Sequence, residues 1–250
     1  MEVPKSHPRY RSLLARKKLS DAAEKGIVVP QGLIAQGRGE AFDYLLGEKT
    51  TPPAMRAEKA AAAYLVLAGH PVISVNGNVA ALAAHHVVKL AKSIPARIEI
   101  NLFYRTEQRI RKIAKLLRSA GATKVLGTEP DALIPGLSSK RALCSHEGIF
   151  SADAVLVPLE DGDRARALVE MGKIVLAVDL NPMSRTSLAA NVTIVDELSR
   201  ALANIAQFVP AMKRNRTIAE RFILSFDNKG NLEDVYKHLN SRLLKLRRRQ

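Results

Sequence analysis

The chain carries one cysteine, Cys144, and no tryptophan. A lone cysteine excludes an intrachain disulfide framework and a zinc site built from cysteines. Aromatic residues make up 4% of the sequence, and no basic stretch is interleaved with them as a single-strand nucleic-acid platform would require. No run approaches the roughly 20 apolar residues that carry a helix across a membrane. The first residues, from Met1 to Pro8, lack the apolar core of a secretory leader. Internal repeats and low-complexity linkers are also missing. Together these shortfalls point to the cytoplasm.

The chain is well supplied with core-forming residues. Of its 250 residues, 47% are hydrophobic and 25% charged, enough for one large α/β domain rather than a disordered chain. The formal net charge is +15 and the pI about 10.1. Such a surplus suits either phosphate contacts to a nucleic acid or a pocket for anionic metabolites. The densest basic run, Lys245-Leu246-Arg247-Arg248-Arg249, stands at the C-terminal end, where cations complement a helix dipole. Nothing near it looks like recognition machinery, so the metabolite reading is preferred and no nucleic-acid or membrane partner is expected.

The pattern of apolar residues predicts a helical segment over residues 1–70, an α/β core over 71–209 and a helical segment over 210–250. The first helix is expected to have Ser6 as N-cap and Pro8 in its first turn, and to stop at Gly26. A polar loop and short helix over 36–46 follow, then an alanine-rich helix opened by Thr51-Pro52-Pro53. From residue 71, buried strands alternate with helices: strands over 72–75, 98–103, 124–126, 154–157, 174–178 and 192–195, with an irregular stretch from Gly127 to Ser151. This alternation predicts a mostly parallel sheet with helices on both faces. A turn is expected at Asp227-Asn228-Lys229-Gly230. Ligands of such sheets sit at the carboxyl ends of the strands.

Three strand-end loops carry the chemistry. Asn76-Gly77-Asn78 opens a helix, offering unpaired N–H groups and glycine access to an anion. Tyr104-Arg105-Thr106 supplies a guanidinium fork and a capping hydroxyl. The third, Asp179-Leu180-Asn181-Pro182-Met183-Ser184-Arg185-Thr186-Ser187, combines a carboxylate for a ribose or hydrated magnesium with hydroxyls and an arginine suited to phosphate. Gly47-Glu48-Lys49-Thr50 breaks the order of a phosphate-binding Gly-Lys-Thr, and Gly37-Arg38-Gly39 lacks the third glycine of a dinucleotide fingerprint. His85 and His86 are adjacent and make a poor metal pair; no protein-built metal site is expected. Cys144 and His146 show no orienting third group for a catalytic pair.

Several segments, in this order and spacing, resemble the archaeal 4-phosphopantoate–β-alanine ligase family, also called archaeal phosphopantothenate synthetase. They are Pro4-Lys5-Ser6-His7-Pro8-Arg9-Tyr10, Gly37 to Gly47, Val75-Asn76-Gly77-Asn78, Asn101-Leu102-Phe103-Tyr104-Arg105-Thr106, and Asp179-Leu180-Asn181-Pro182 with Ser184-Arg185-Thr186. The resemblance covers essentially the whole chain. It implies a Rossmann-like α/β fold, a homodimer, and condensation of 4-phosphopantoate with β-alanine at the expense of ATP, with magnesium, giving AMP and diphosphate in coenzyme A biosynthesis. It also implies ATP contacts at Arg16, Arg38, Asp179, Leu180, Asn181, Arg185, Thr186, Glu197 and Leu198. The family often has Asn-Ile where this chain has Glu197-Leu198. With the nucleotide so assigned, Asn76, Gly77, Asn78, Arg105 and Thr106 are left for phosphopantoate. An acyl-adenylate route needs positioning and charge stabilisation more than a nucleophile, which fits the lack of any visible acid/base dyad. A kinase of another small metabolite and a basic nucleic-acid-binding protein are the alternatives.

Overall fold

The computed structural model describes residues 4–7 and 9–247; Pro8 and the last arginines of the C-terminal basic run lie outside the described residues. Three helices come first: α1 (Tyr10–Glu24), α2 (Pro30–Leu46) and α3 (Pro52–Leu67). The α/β part runs β1 (Pro71–Val75), α4 (Gly77–Ser93), β2 (Arg97–Ile100), α5 (Glu107–Ser119), β3 (Ala132–Leu133), β4 (Leu143–Cys144), β5 (Ala154–Pro158), α6 (Gly162–Glu170), β6 (Ile174–Val178), α7 (Arg185–Ala189) and β7 (Val192–Ile194). Helices α8 (Leu198–Arg214), α9 (Arg216–Ser225) and α10 (Asn228–Arg247) close the chain.

The main sheet has the order β2-β1-β5-β6-β7, and every pairing in it is parallel. Period-two alternation sends Ile73, Val75, Leu156, Leu176 and Val178 into one core with α3, α4, α5 and α8. Val72, Val155, Val157, Val175 and Ala177 face a second core with α6. Helices therefore cover both faces, and the order reverses direction between β1 and β5. The strand expected at 124–126 is reduced to one parallel bridge, Glu99 to Leu126, on the outer edge of β2. With it counted, the order is that of a Rossmann-like sheet.

Four expectations need correction. Helix α1 begins at Tyr10 with Arg9 as N-cap, so Ser6 does not cap it. Residues 36–39 are not loop but the middle of α2, which starts already at Pro30. Strand β2 stops at Ile100; Asn101 instead donates from Nδ2 to Arg141 O and Leu143 O, at 3.1 and 3.0 Å. The turn expected at residues 227–230 is a helix start: Asp227 accepts from Lys229 N and Gly230 N at 3.1 and 2.8 Å.

The stretch from 127 to 151 is held by a residue far away in sequence. Glu99, fully buried on β2, accepts from Ser145 N at 2.7 Å and Ile149 N at 2.6 Å. These bonds close a single π-helical turn over His146–Phe150 behind the antiparallel pair β3–β4. Burial outweighs the two N–H donors and pushes the Glu99 carboxyl up to about 7.

Gly127 begins that stretch at φ +80°, and a Cβ there would collide with Ile100 O. Gly127→Ala combines a left-handed backbone with overpacking against an atom that cannot swing away. It is expected to cost about 2–4 kcal/mol, read as a lowered midpoint in denaturant titration; an unchanged midpoint would contradict this packing.

Candidate functional site

Helix α2 lies across the end of β6. A Cβ built on Gly39 would meet Leu180 Cδ1 at 3.5 Å, an ordinary packing distance that sets this turn of α2 against the strand end without demanding a glycine. One residue earlier, Arg38 is exposed, and its charge acts on Asp179. Burial raises the Asp179 carboxyl, while Ser184, Asn181 N and Arg38 oppose that rise. Arg16 on α1 is tied to Glu40 on α2 through Nε and Nη2, both at 2.9 Å. Arg38 and Gly39 on α2 thus lie by Asp179 and Leu180, and Arg16 reaches the same helix through Glu40.

The 179–187 loop is braced by its own polar groups. Asp179 accepts from Asn181 N at 2.9 Å and from Ser184 Oγ at 2.5 Å, and Asn181 Oδ1 accepts from Met183 N at 2.9 Å. The Thr186 hydroxyl donates to Glu160 O at 2.9 Å. The density of hydrogen-bonding groups is therefore partly a loop-folding device. Arg185 stays exposed, bridged to Asp163 at 3.1 Å.

At the end of β7, Glu197 caps α8, its carboxylate accepting from Ser199 N at 3.0 Å and Arg200 N at 3.1 Å. Asparagine is a preferred residue for the same capping role, so the side chain at this position has a local task in either case. Behind the cap lies a buried carboxyl pair. Asp196, 1% exposed, accepts from Thr50 Oγ1 at 2.6 Å and from Arg200 Nε at 2.9 Å. Glu58 on α3, fully buried, accepts from Asn204 Nδ2 at 3.0 Å, while its Oε1 has no donor among the described residues. Burial and the negative Asp196 push the Glu58 carboxyl up to about 9. The shift favours a protonated Glu58 beside a charged Asp196, the two carboxyls titrating as a pair. Arg200 also reaches Asp43 on α2 at 2.5 Å, so this cluster anchors the helix that carries Arg38.

The β1 and β2 loops face one edge, as neighbouring parallel strands require. Their side chains are more occupied than the sequence suggests. Asn76 accepts from Val79 N at 3.1 Å and donates to Leu159 O at 2.9 Å. Asn78 donates to Gly32 O at 2.8 Å. A Cβ on Gly77 would stand 2.5 Å from Ile27 O, so the close approach this glycine permits is made by the protein itself. Thr106 caps α5, accepting from Arg109 N at 3.3 Å. Arg105 is different: Nη2 donates to Gly127 O at 2.7 Å, while Nη1 has no partner among the described residues. It is a half-buried guanidinium, held by a carbonyl, with a buried donor left unsatisfied.

Comparison with known proteins fits this arrangement. The sequence model of the phosphopantothenate/pantothenate synthetase family matches residues 53–242. A protein of Methanosarcina mazei is 54% identical over 97% of this chain and 96% of its own length. The chain belongs to the phosphopantothenate/pantothenate synthetase family. Further relatives come from Methanospirillum hungatei, 52% identical over 97% of this chain and 98% of its own, and from Thermococcus kodakarensis, 51% identical over 98% and 95%. All three relatives are named 4-phosphopantoate–β-alanine ligase. The resemblance read from the strand-end motifs is thereby borne out at the level of family and fold.

Within this family member, sequence reading passed over the turn after β5. Glu160 there is 1% exposed at its side chain and forms ion pairs with Arg141 at 2.9 Å and with Arg164. Its position directly after a parallel strand was the available signal. Cys144 is buried and its thiol pushed up to about 12, so it holds no thiolate at neutral pH and forms no pair with the exposed His146.

The Glu58 cluster predicts an unusual pH response. A carboxyl raised from its ordinary 4.5 to about 9 binds more protons in the folded state. Its contribution to stability therefore falls as pH climbs between those values. Glu58→Gln keeps an acceptor for Asn204 and a donor for Asp196 but cannot ionise. Melting temperatures of the variant and the parent should agree near pH 5 and separate in favour of the variant towards pH 9; parallel curves would refute the raised carboxyl.

Proposed function

We propose that this protein joins 4-phosphopantoate to β-alanine in coenzyme A biosynthesis, consuming ATP and releasing AMP and diphosphate. The reading is carried by identity of about half the residues, 54% in one case, across nearly the full length of proteins named for that ligation. The placement of arginines supports it. Arg38, exposed beside Asp179, suits the triphosphate and ribose, and the solvent-facing ion pairs of Arg16 with Glu40 and of Arg185 with Asp163 can open to join it. Arg105, a half-buried guanidinium just past the end of β2 with one enclosed N–H group left unpaired among the described residues, suits the phosphate or carboxylate of phosphopantoate. Asn76, Gly77 and Asn78 then act as scaffold for that side through their own backbone partners, with Thr106 capping the helix beside Arg105. Asn181, Thr186, Glu197 and Leu198 offer backbone groups on the nucleotide side.

The pantoate carboxylate attacks the α-phosphorus of ATP, and diphosphate leaves with the electrons of the broken P–O bond. The free amine of β-alanine then adds to the acyl carbon, AMP departs, and the amine proton passes to solvent. Catalysis of this kind rests on orientation and on cations aimed at growing negative charge. Magnesium supplies charge on the phosphates; the Asp179 oxygens, committed within their loop, fit a hydrated ion brought in on the nucleotide better than direct ligation. A homodimer in the cytoplasm belongs to the same reading.

Omission assays test the reaction. Diphosphate and AMP should form with ATP, magnesium and 4-phosphopantoate, and phosphopantothenate only once β-alanine is added. Release of ADP instead would favour a kinase and end the ligase reading.

The division of the crevice is tested by a pair of variants. Arg38→Ala is expected to weaken ATP use with little change in melting temperature. Arg105→Ala should lower kcat/KM for 4-phosphopantoate roughly a hundredfold, with ATP affinity by calorimetry close to the parent. Collapse of ATP affinity in the Arg105 variant would move that loop to the nucleotide.

A further inference from the structure

The turn Leu159-Glu160-Asp161 leaves β5 at the point where the strand order reverses, between the β1 loop and the β6 loop. It touches both. Pro158 O and Leu159 O accept from Asn76 Nδ2 at 3.3 and 2.9 Å, and Glu160 O accepts from the Thr186 hydroxyl at 2.9 Å. Leu159 N donates to Val178 O at 3.0 Å. Leu159 holds φ +53°, a left-handed conformation that a branched residue keeps only where its surroundings over-determine it.

What over-determines it is the Glu160 side chain. One oxygen accepts from Asp161 N at 2.9 Å and pairs with Arg141 Nη2 at 2.9 Å; the other pairs with Arg164 Nη1. Arg164, fully buried, donates onward to Ser74 Oγ on β1 at 3.2 Å. Arg141 donates to Asn101 O, past the end of β2, at 3.0 Å, and its Nε lies 3.2 Å from Asp161 Oδ2. Two arginines thus meet two carboxylates, and the cluster is neutral. It is not tuned for stability, since the Nε of Arg164 has no partner, and buried ion pairs rarely outperform apolar packing. Such a cluster fixes geometry.

We propose that Glu160 is a positioning residue for ligation: clamped between Arg141 and Arg164, it sets the turn that holds the β1 loop and the β6 loop in register. This rests on the reading that the two loops serve the acyl substrate and the nucleotide. The carboxylate and the α-phosphorus come from opposite sides of the turn, so a displacement of about 1 Å between the loops misaligns the attack without emptying either site.

Glu160→Asp tests this. It preserves the charge balance but withdraws the carboxylate by one methylene. ATP and 4-phosphopantoate affinities, measured separately by calorimetry, should stay within about threefold of the parent, while kcat and the rate of ATP–diphosphate exchange without β-alanine fall roughly ten- to a hundredfold. Arg141→Lys, which also keeps charge, should behave alike and replaces the first variant if that one does not fold. Unchanged kcat in a folded variant overturns the proposal. So does loss of one affinity with kcat intact, which would place the cluster inside a single ligand's site. If the parent itself binds neither ligand, the ligase reading has failed, not the clamp.

Discussion

A carboxylate 1% exposed at the mouth of a central strand needs positive charge on more than one side, and for Glu160 that need shapes the architecture around it. Arg164 comes cheaply, four residues later on α6. The second arginine does not. Arg141 is delivered by the long excursion between α5 and β5, and that excursion has little regular structure of its own. Asn101 and Glu99 hold it down, the first through Arg141 O and Leu143 O, the second through Ser145 N and Ile149 N. The excursion from 127 to 151 is therefore the route by which a charge reaches the switch point, and Glu99 is its anchor on the sheet.

That dependence explains what could be read in advance. The strands and their following helices were legible because each is a local pattern: apolar runs such as Val72 to Val75, then helical spacing and a cap. The loops at Asn76, Arg105 and Asp179 were found by the general rule that ligands meet parallel sheets at the carboxyl ends of strands. The π turn over His146–Phe150 was not legible, because it is fixed by a glutamate nearly fifty residues away. The middle of α2 was read as a polar loop leading into a short helix because Gly37 and Gly39 each weaken a helix; the helix nonetheless runs unbroken from Pro30 to Leu46. At Asn76, Gly77 and Asn78 the long-range neighbours were what local pattern could not supply. Cap, glycine and amide were recognised, but not that the Asn76 and Asn78 side chains donate to Leu159 O and Gly32 O, or that Ile27 O packs against Gly77.

Burial also sorts the arginines, which composition cannot. A net charge of +15 announces cations without saying which are for ligands. Arg141 and Arg164 are enclosed and neutralised by Glu160 and Asp161. Arg200 is divided between Asp43 and Asp196. Arg105, by contrast, meets only carbonyl oxygens among the described residues and leaves a buried Nη1 unpaired, and Arg38 stands exposed beside Asp179, whose carboxyl it pulls down against burial. A neutralised guanidinium has little field left for an incoming phosphate, because its charge is already balanced at close range. A free one at a strand end retains it. The same side chain is thus scaffold in one place and candidate ligand contact in another. The ion-pair clusters tie together the β1, β5, β6 and β7 loops; fixed surroundings of this kind are the condition under which electrostatic stabilisation of a transition state is most effective.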